Sequence, residues 1–236
     1  MKPLVRLLPV LLLGFSVVLR AAEPVPVNPA AVPTLRNDWL VRHEGFNAIA
    51  KKGGVDLLFV GDSITDGWRN GGKAIWAERY EPRKAANFGI NGDRTEHLLW
   101  RLQNGNLDGI QPKVAVVMIG TNNTSRDSAP QIAEGVAAVV HEIRTRCPDT
   151  KVLLLAIFPR AEKADAPVRA LIAEINGLLA RLDDGKSVFF LDISQKFLEA
   201  DGTLPQSIMP DALHPNAAGY QIWADAMHDK LAELLK

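Results

Sequence analysis

The chain has 236 residues, with 27 basic and 27 acidic side chains, and 47% of its residues are hydrophobic. This length and composition suit one α/β domain with a substantial core. Balanced charge offers no basic surface for nucleic acid or anionic lipid, so we expect neither as a partner. The single cysteine, Cys147, can form no intramolecular disulfide and supports no thiolate metal site, which leaves ordinary packing as its expected role.

The first 22 residues have the order of a secretory signal peptide. Two basic residues precede the apolar run LLPVLLLGFSVVL, and two alanines follow it closely. An uncleaved membrane anchor is the alternative, but Pro9 interrupts a run that is already short for a bilayer. We therefore predict a signal peptide over 1–22, a secreted or periplasmic mature chain, and no stable membrane insertion after cleavage. Residues 23–37 form a Pro-rich lead that either wraps a surface or stays mobile.

From residue 38 onward, the hydrophobic pattern alternates between helical and strand periodicity. Helices are predicted over 38–52, 130–146, 168–182 and 217–235, together with a helix that Asp93 caps. Strands are predicted over 55–60, 85–88, 114–119, 152–157 and 188–193. This alternation predicts a parallel sheet covered by helices on both faces. The pattern shows no internal repeat and no second domain, so we expect residues 38–236 to form a single domain.

The segment after the first strand, Gly61-Asp62-Ser63, carries a candidate nucleophile. Parallel strands bring the residues that follow them to one edge of the sheet. Ser63 lies at a strand-to-helix turn, where Gly61 allows a tight bend and the serine hydroxyl stands at that edge. The Ser63 N–H would point into the site from the first helical turn. Alone, the same tripeptide is equally typical of a turn or a helix N-cap.

Near the C-terminus, Asp211 and His214 have the spacing of a base and its orienting group. Three residues apart on one turn, the carboxylate can accept from Nδ1–H, which leaves Nε2 free to take a proton from a serine hydroxyl. Asp192, which also follows a strand, is the rival orienting group. The other four histidines fall inside predicted helices, where packing or surface roles are expected. No residue set has metal-ligand spacing, so we expect neither a metal nor another cofactor.

Two further segments supply candidate donors for an oxyanion. Gly92 lies in a loop where the missing Cβ lets a backbone N–H approach a substrate carbonyl, and Asn122 follows a strand with its side-chain amide. Together with the Ser63 N–H they would make three convergent donors. Each alone is also typical of an ordinary turn.

In this order, Gly-Asp-Ser, the loop glycine, Gly-Thr-Asn-Asn and Asp-x-x-His-Pro resemble the four blocks of the SGNH (GDSL) hydrolase superfamily. Within it, VGDSITDGW and NFGINGDRTEHLLWRLQNG are most similar to the esterases that resemble platelet-activating-factor acetylhydrolase catalytic subunits. The resemblance covers nearly all of the mature chain. It implies a three-layer α/β/α sandwich, flavodoxin-like, with a five-stranded parallel sheet and an open, shallow site.

The resemblance assigns roles to the same residues. Ser63 becomes the nucleophile, His214 the general base and Asp211 its partner, while Gly92 and Asn122 complete an oxyanion hole with the Ser63 N–H. These are the parts of a serine hydrolase acting on ester bonds. The first block carries Ile64 in place of the leucine that gives the family its name.

The substrate is inferred from residues beside the nucleophile and the base. Ile64 and Leu213 are expected to wall a small acyl pocket suited to acetyl, while Trp68 and Trp76 are either core residues or a sugar platform. Export and the resemblance favour an esterase that removes acetyl groups from carbohydrates. A short-chain acyl or phospholipid esterase is the alternative, and a catalytically silent binding protein is a third. The sequence is compatible with a homodimer.

Overall fold

The computed structural model describes residues 27–236. The predicted signal peptide and the first residues of the Pro-rich lead lie outside this range. Residues 27–37 lie against the domain, so this part of the lead wraps its surface. No helix of the described part is long and apolar enough to cross a membrane.

A five-stranded parallel sheet forms the centre of the molecule, in the order β2-β1-β3-β4-β5. The strands are β1 (Leu57–Gly61), β2 (Ala85–Gly89), β3 (Val114–Met118), β4 (Lys151–Leu155) and β5 (Val188–Leu191). In β1 and β3 every residue is buried, which explains why these strands are almost continuously apolar rather than alternating. At the carboxyl edge Gly61 is in register with both Gly89 and Met118, so the loops after β1, β2 and β3 begin side by side.

Seven helices cover the two faces of the sheet within the described range. They are α1 (Leu40–Lys52), α2 (Ser63–Asp66), α3 (Lys73–Arg79), α4 (Thr95–Arg101), α5 (Ala129–Arg146), α6 (Pro167–Leu179) and α7 (Ala217–Leu234). Alternate strand residues divide the core in two, since Leu58 and Val60 pack with α1, α4, α5 and α6. Leu57 and Phe59 pack on the other face with α2, α3 and α7. The predicted three-layer α/β/α sandwich is thus confirmed.

The prediction that Asp93 caps a helix is wrong. Helix α4 begins at Thr95, and the residue at its N-cap is Arg94. The Asp93 side chain is 1% exposed and its two oxygens accept from Arg101 Nε at 2.8 Å and Arg36 Nη1 at 3.1 Å. A carboxylate held by two guanidinium groups is unavailable to a helix N-terminus.

Candidate active site

Ser63 lies where β1 turns into the short helix α2. A Cβ at Gly61 would approach the Met118 carbonyl oxygen to 2.3 Å, so this bend requires glycine. Asp62 is the N-cap of α2, and its Oδ1 accepts from the Ile64 N–H at 3.0 Å. Ser63 is therefore the first residue of the helical turn, at the carboxyl edge of the sheet.

The carboxyl group of Asp62 is fully buried beside Ser63. Its Oδ2 has no hydrogen-bond partner among the described residues. Burial, together with the nearby charge of Asp93, raises the pKa of Asp62 to about 7, against the lowering effects of the Ile64 N–H and Arg160. The protonated form of Asp62 is accordingly well populated at neutral pH.

Ser63, His214 and Asp211 form a continuous chain of hydrogen bonds. Ser63 Oγ lies 2.9 Å from His214 Nε2, and His214 Nδ1 lies 2.6 Å from Asp211 Oδ2. The other oxygen of Asp211 accepts from the backbone N–H groups of Leu213 at 3.1 Å and His214 at 2.7 Å. A proton on Nδ1 faces the carboxylate, so Nε2 is free to accept from the serine hydroxyl.

The environment of Asp211 keeps its carboxylate ionised. Partial burial acts to raise the pKa, but the hydrogen bonds from the His214 ring and backbone outweigh it, so the pKa of Asp211 is lowered from its ordinary value. The Asp211 and His214 side chains are 57% and 41% exposed, which makes the site open to solvent. An ionised acceptor holds the imidazole in one orientation without being buried itself.

The rival orienting group does not contact His214. Asp192 Oδ1 accepts from the backbone N–H of Ser194 at 2.8 Å, and its side chain borders a separate hollow beside α6. The remaining histidines, His43, His97, His141 and His228, lie in α1, α4, α5 and α7. No group of three or more His, Cys, Asp or Glu side chains within 27–236 has the arrangement of a metal site.

Gly92 and Asn122 lie in adjoining loops. Gly92 has φ of 75°, a left-handed conformation that favours glycine. Asn122 Nδ2 donates to the Asp93 carbonyl at 2.9 Å, which ties the loop after β3 to the loop after β2. Within the described range, the backbone N–H groups of Ser63 and Gly92 donate to no backbone carbonyl. Both groups are left available for a ligand.

A depression of about 280 Å³ lies beside the hydrogen-bonded serine. It is lined by Ser63, Asp66, Gly67, Asn70, Gly71, Asn91, His214, Pro215 and Tyr220. The expectation that Ile64 walls an acyl pocket is not met, because its side chain is 1% exposed and packs into the core under α7. The phase of the helical turn explains this, since adjacent residues on a helix point in different directions. Leu213 is partly buried against the same core and does not line the depression.

Tyr220 lines the depression and is almost completely buried, although the sequence gave no indication that it would reach the site. Its hydroxyl donates to the Ile64 carbonyl at 2.7 Å, which joins α7 to the turn that bears Ser63. A Cβ at Gly67 would lie 2.0 Å from this hydroxyl. The clustered glycines that follow Ser63 were the available signal, because they mark a close approach of another chain segment.

Of the alternatives for the two tryptophans, the structure shows core packing for Trp68, whereas the partly buried Trp76 also borders a surface hollow that Ser63 does not line. Trp68 is completely buried, with its ring centroid 4.5 Å from that of Tyr220 and 4.9 Å from that of Trp223. Trp76 packs against the same core and against Phe59. Neither ring lines the depression beside Ser63. Cys147 is likewise buried and unpaired.

A parallel sheet with a Ser–His–Asp chain at its carboxyl edge is the arrangement of the serine hydrolase class. The model of the GDSL-like lipase/acylhydrolase family matches residues 59–222. The chain is 39% identical over 216 residues to platelet-activating factor acetylhydrolase IB subunit alpha2 of Rattus norvegicus, which covers 89% of this chain and 93% of the relative. It belongs to the GDSL-like lipase/acylhydrolase family and is an ester-hydrolysing enzyme.

Solved structures share the fold at lower identity. A protein from Streptococcus pneumonia described as a platelet activating factor has a TM-score of 0.67 and 24% identity, covering 82% of this chain and 95% of its own. A variant of an acetyl-xylooligosaccharide esterase from Geobacillus has a TM-score of 0.60 and 21% identity, covering 77% of this chain and 94% of its own. These likenesses confirm the expected fold class.

Proposed function

We propose that the protein is a serine esterase that hydrolyses short-chain esters, in the first place acetyl esters. The hydrogen-bonded chain Asp211–His214–Ser63, in a member of an acylhydrolase family, is the observation that carries this proposal. Ser63 is the nucleophile, His214 the general base and Asp211 the group that orients it. The Ser63 and Gly92 N–H groups and the Asn122 amide are the proposed oxyanion donors.

The chemistry follows from these contacts. Ser63 Oγ attacks the ester carbonyl carbon while its proton passes to His214 Nε2, and the carbonyl oxygen becomes an oxyanion. Asp211 stabilises the imidazolium that forms. As the tetrahedral intermediate collapses, the ester C–O bond breaks and the leaving alcohol takes the proton from Nε2. Water, deprotonated by His214, then attacks the acyl-enzyme, and the acid is released with Ser63 restored.

The lining of the depression supports a short acyl group. Among its residues Asp66, Asn70 and Asn91 are polar, and none is an aliphatic residue larger than proline. An acyl chain longer than propionyl would leave methylenes in water and forgo about 0.8 kcal/mol of burial for each. Acetyl and propionyl esters should therefore have the highest kcat/KM.

The leaving group is proposed to be a carbohydrate hydroxyl on a substrate met outside the cytoplasm. The signal-like order of residues 1–22 supports export, and the polar rim of the depression suits a hydroxyl-rich partner. A phospholipid alcohol is the second candidate, favoured by the 39% identity to a platelet-activating factor acetylhydrolase subunit. Both candidates involve removal of a short acyl group by the same residues.

One set of assays tests this function. Wild-type protein and the Ser63→Ala variant are compared on nitrophenyl esters from acetyl to octanoyl, on acetylated xylan and on a phospholipid with an acetyl ester. We expect the Ser63→Ala variant to lose nearly all activity, at least ~10³-fold, because no acyl-enzyme forms. Ser194→Ala, in the hollow beside α6, is the matched control and should retain wild-type rates.

Four results would contradict the proposal, at three levels. Activity retained in Ser63→Ala would refute the nucleophile, and a serine-directed phosphonate that labels another residue would do the same. A wild-type optimum at octanoyl would refute the short-chain preference. Faster hydrolysis of the acetylated phospholipid than of acetylated xylan would move the second candidate to first place.

A further inference from the structure

The described part of the N-terminal lead is fastened to the domain by specific contacts. We call residues 28–36 the strap. Asn28 Nδ2 donates to the Gln131 carbonyl at 3.0 Å and to Glu134 Oε2 at 2.8 Å, both on α5. Ala30 is completely buried, and its carbonyl accepts from Thr95 Oγ1 at 2.7 Å. These contacts fix the beginning of the strap to two helices.

The strap then runs along the start of α4 towards the proposed oxyanion loop. The Thr34 N–H donates to the Glu96 carbonyl at 3.0 Å, so the strap is still fastened two residues before Arg36. Arg36 is 21% exposed and is the last residue of the strap. Its position is therefore set by contacts on both α5 and α4.

Arg36 holds the residues on either side of Gly92. Its Nη1 donates to the Asn91 carbonyl at 3.0 Å and to Asp93 Oδ1 at 3.1 Å. A Cβ built on Gly92 would lie 3.3 Å from the same nitrogen, so the guanidinium rests directly against this glycine. Its Nη2 donates to Asp38 Oδ2 at 2.7 Å, which engages the second arm of the guanidinium.

The contact between Arg36 and the Asn91 carbonyl affects the direction of the Gly92 N–H, because this carbonyl and this N–H belong to one peptide unit. That unit is planar and trans, so its C=O and N–H point in opposite directions. Holding the Asn91 oxygen on one side therefore fixes the direction of the Gly92 N–H on the other. Asn91, whose carbonyl belongs to this peptide, lines the depression together with Ser63 and His214.

We propose that Arg36 is a positioning residue that aims the Gly92 N–H at the oxyanion by holding the opposite end of the same peptide plane. The contacts of the strap with α4 and α5 hold Arg36 in place. This inference rests on the proposed function, since it requires that an oxyanion forms beside Ser63. The lead is then part of the catalytic apparatus, although its sequence has only the composition of a linker.

A lysine would reproduce this role incompletely. The planar guanidinium reaches the Asn91 carbonyl, Asp93 and Asp38 at once, whereas an ammonium group is a point charge without a fixed fork. Arg36→Lys should thus be intermediate between the wild type and Arg36→Ala. Exogenous guanidinium should restore part of the activity of Arg36→Ala, because it can occupy the vacated position.

The test compares Arg36→Ala and Arg36→Lys with a matched control, Arg79→Ala. Arg79 is similarly exposed, at 25%, and forms an ion pair of 2.6 Å with Asp225, but lies on α3. On the acetyl nitrophenyl ester, Arg36→Ala should lower kcat by about 10- to 100-fold with KM changed less than about threefold. Arg79→Ala should remain within about twofold of the wild type for both constants.

A second measurement does not depend on activity. Amide hydrogen exchange of the loop 90–93 should be faster in Arg36→Ala than in Arg79→Ala, with exchange in β3 and β4 unchanged. Unchanged loop exchange, or a kcat within twofold of the wild type, would overturn the inference. If Arg36→Ala does not fold, both measurements are made on Arg36→Lys instead. An unchanged kcat in Arg36→Lys would equally overturn the inference. If Ser63→Ala keeps activity, the proposed function fails, whereas the exchange result still shows whether Arg36 orders the loop.

Discussion

At the residue scale, the site depends on one short separation in sequence and several very long ones. Asp211 and His214 are three residues apart, so a single turn brings carboxylate and imidazole to 2.6 Å. This geometry could be predicted from sequence because it is local. Ile64 could not be placed in the same way, since its direction depends on the rotation of α2 relative to the core.

The first prediction separates two aspartates. Asp211→Asn should lower kcat on a short ester by about 10³- to 10⁴-fold, because an amide can hold the imidazole in the wrong tautomer and cannot stabilise imidazolium. Asp192→Asn should leave kcat nearly unchanged, since Asp192 contacts the Ser194 N–H rather than His214. Steady-state kinetics of the two purified variants provide the check. A larger loss of kcat in Asp192→Asn than in Asp211→Asn would show that Asp192 is the residue that orients His214.

At the scale of elements, strands were easier to predict than helix ends or the strap. Each predicted strand overlaps an observed one, and β1 and β3 are the clearest because runs buried on both faces are apolar throughout. The start of α4 was misplaced, since Arg101 and Arg36 take the carboxylate of Asp93 and sequence does not show such contacts. For a related reason the sequence left open whether the lead wraps a surface or stays mobile, because the order of the strap comes from hydrogen bonds to α4 and α5.

The second prediction concerns the link between α7 and α2. Tyr220→Phe removes the hydrogen bond from the buried hydroxyl to the Ile64 carbonyl and should lower the free energy of unfolding by about 1 kcal/mol or more. Tyr80→Phe is the matched control, because Tyr80 is 2% exposed and packs in the same core cluster, whereas the hydrogen bond to the Ile64 carbonyl comes from Tyr220. Urea unfolding of both variants measures the difference. Equal losses would show that the hydrogen bond to α2 adds nothing.

At the scale of the whole molecule, one buried carboxyl group makes stability depend on pH. Asp62 is fully buried and burial raises its pKa to about 7, whereas an unfolded aspartate ionises near 3.8. Between these values the folded protein binds more protons than the unfolded chain. The free energy of unfolding must then fall as pH rises through this interval.

The third prediction uses this dependence. Relative to Asp62→Asn, the wild type should lose up to about 4 kcal/mol of stability between about pH 4 and pH 7. Asparagine keeps an oxygen that can accept from the Ile64 N–H, so the variant should fold. Denaturant unfolding at a series of pH values gives the difference. Parallel curves for the two proteins would show that Asp62 is ionised in the folded state.

The hydrogen bond between Ser63 and His214 joins residues 151 positions apart. Between them in sequence lie four of the five strands, so Ser63 and His214 meet only when the segment that follows β5 packs against the turn after β1. With Ser63 as the proposed nucleophile, ester hydrolysis would be a direct report that this last segment has docked.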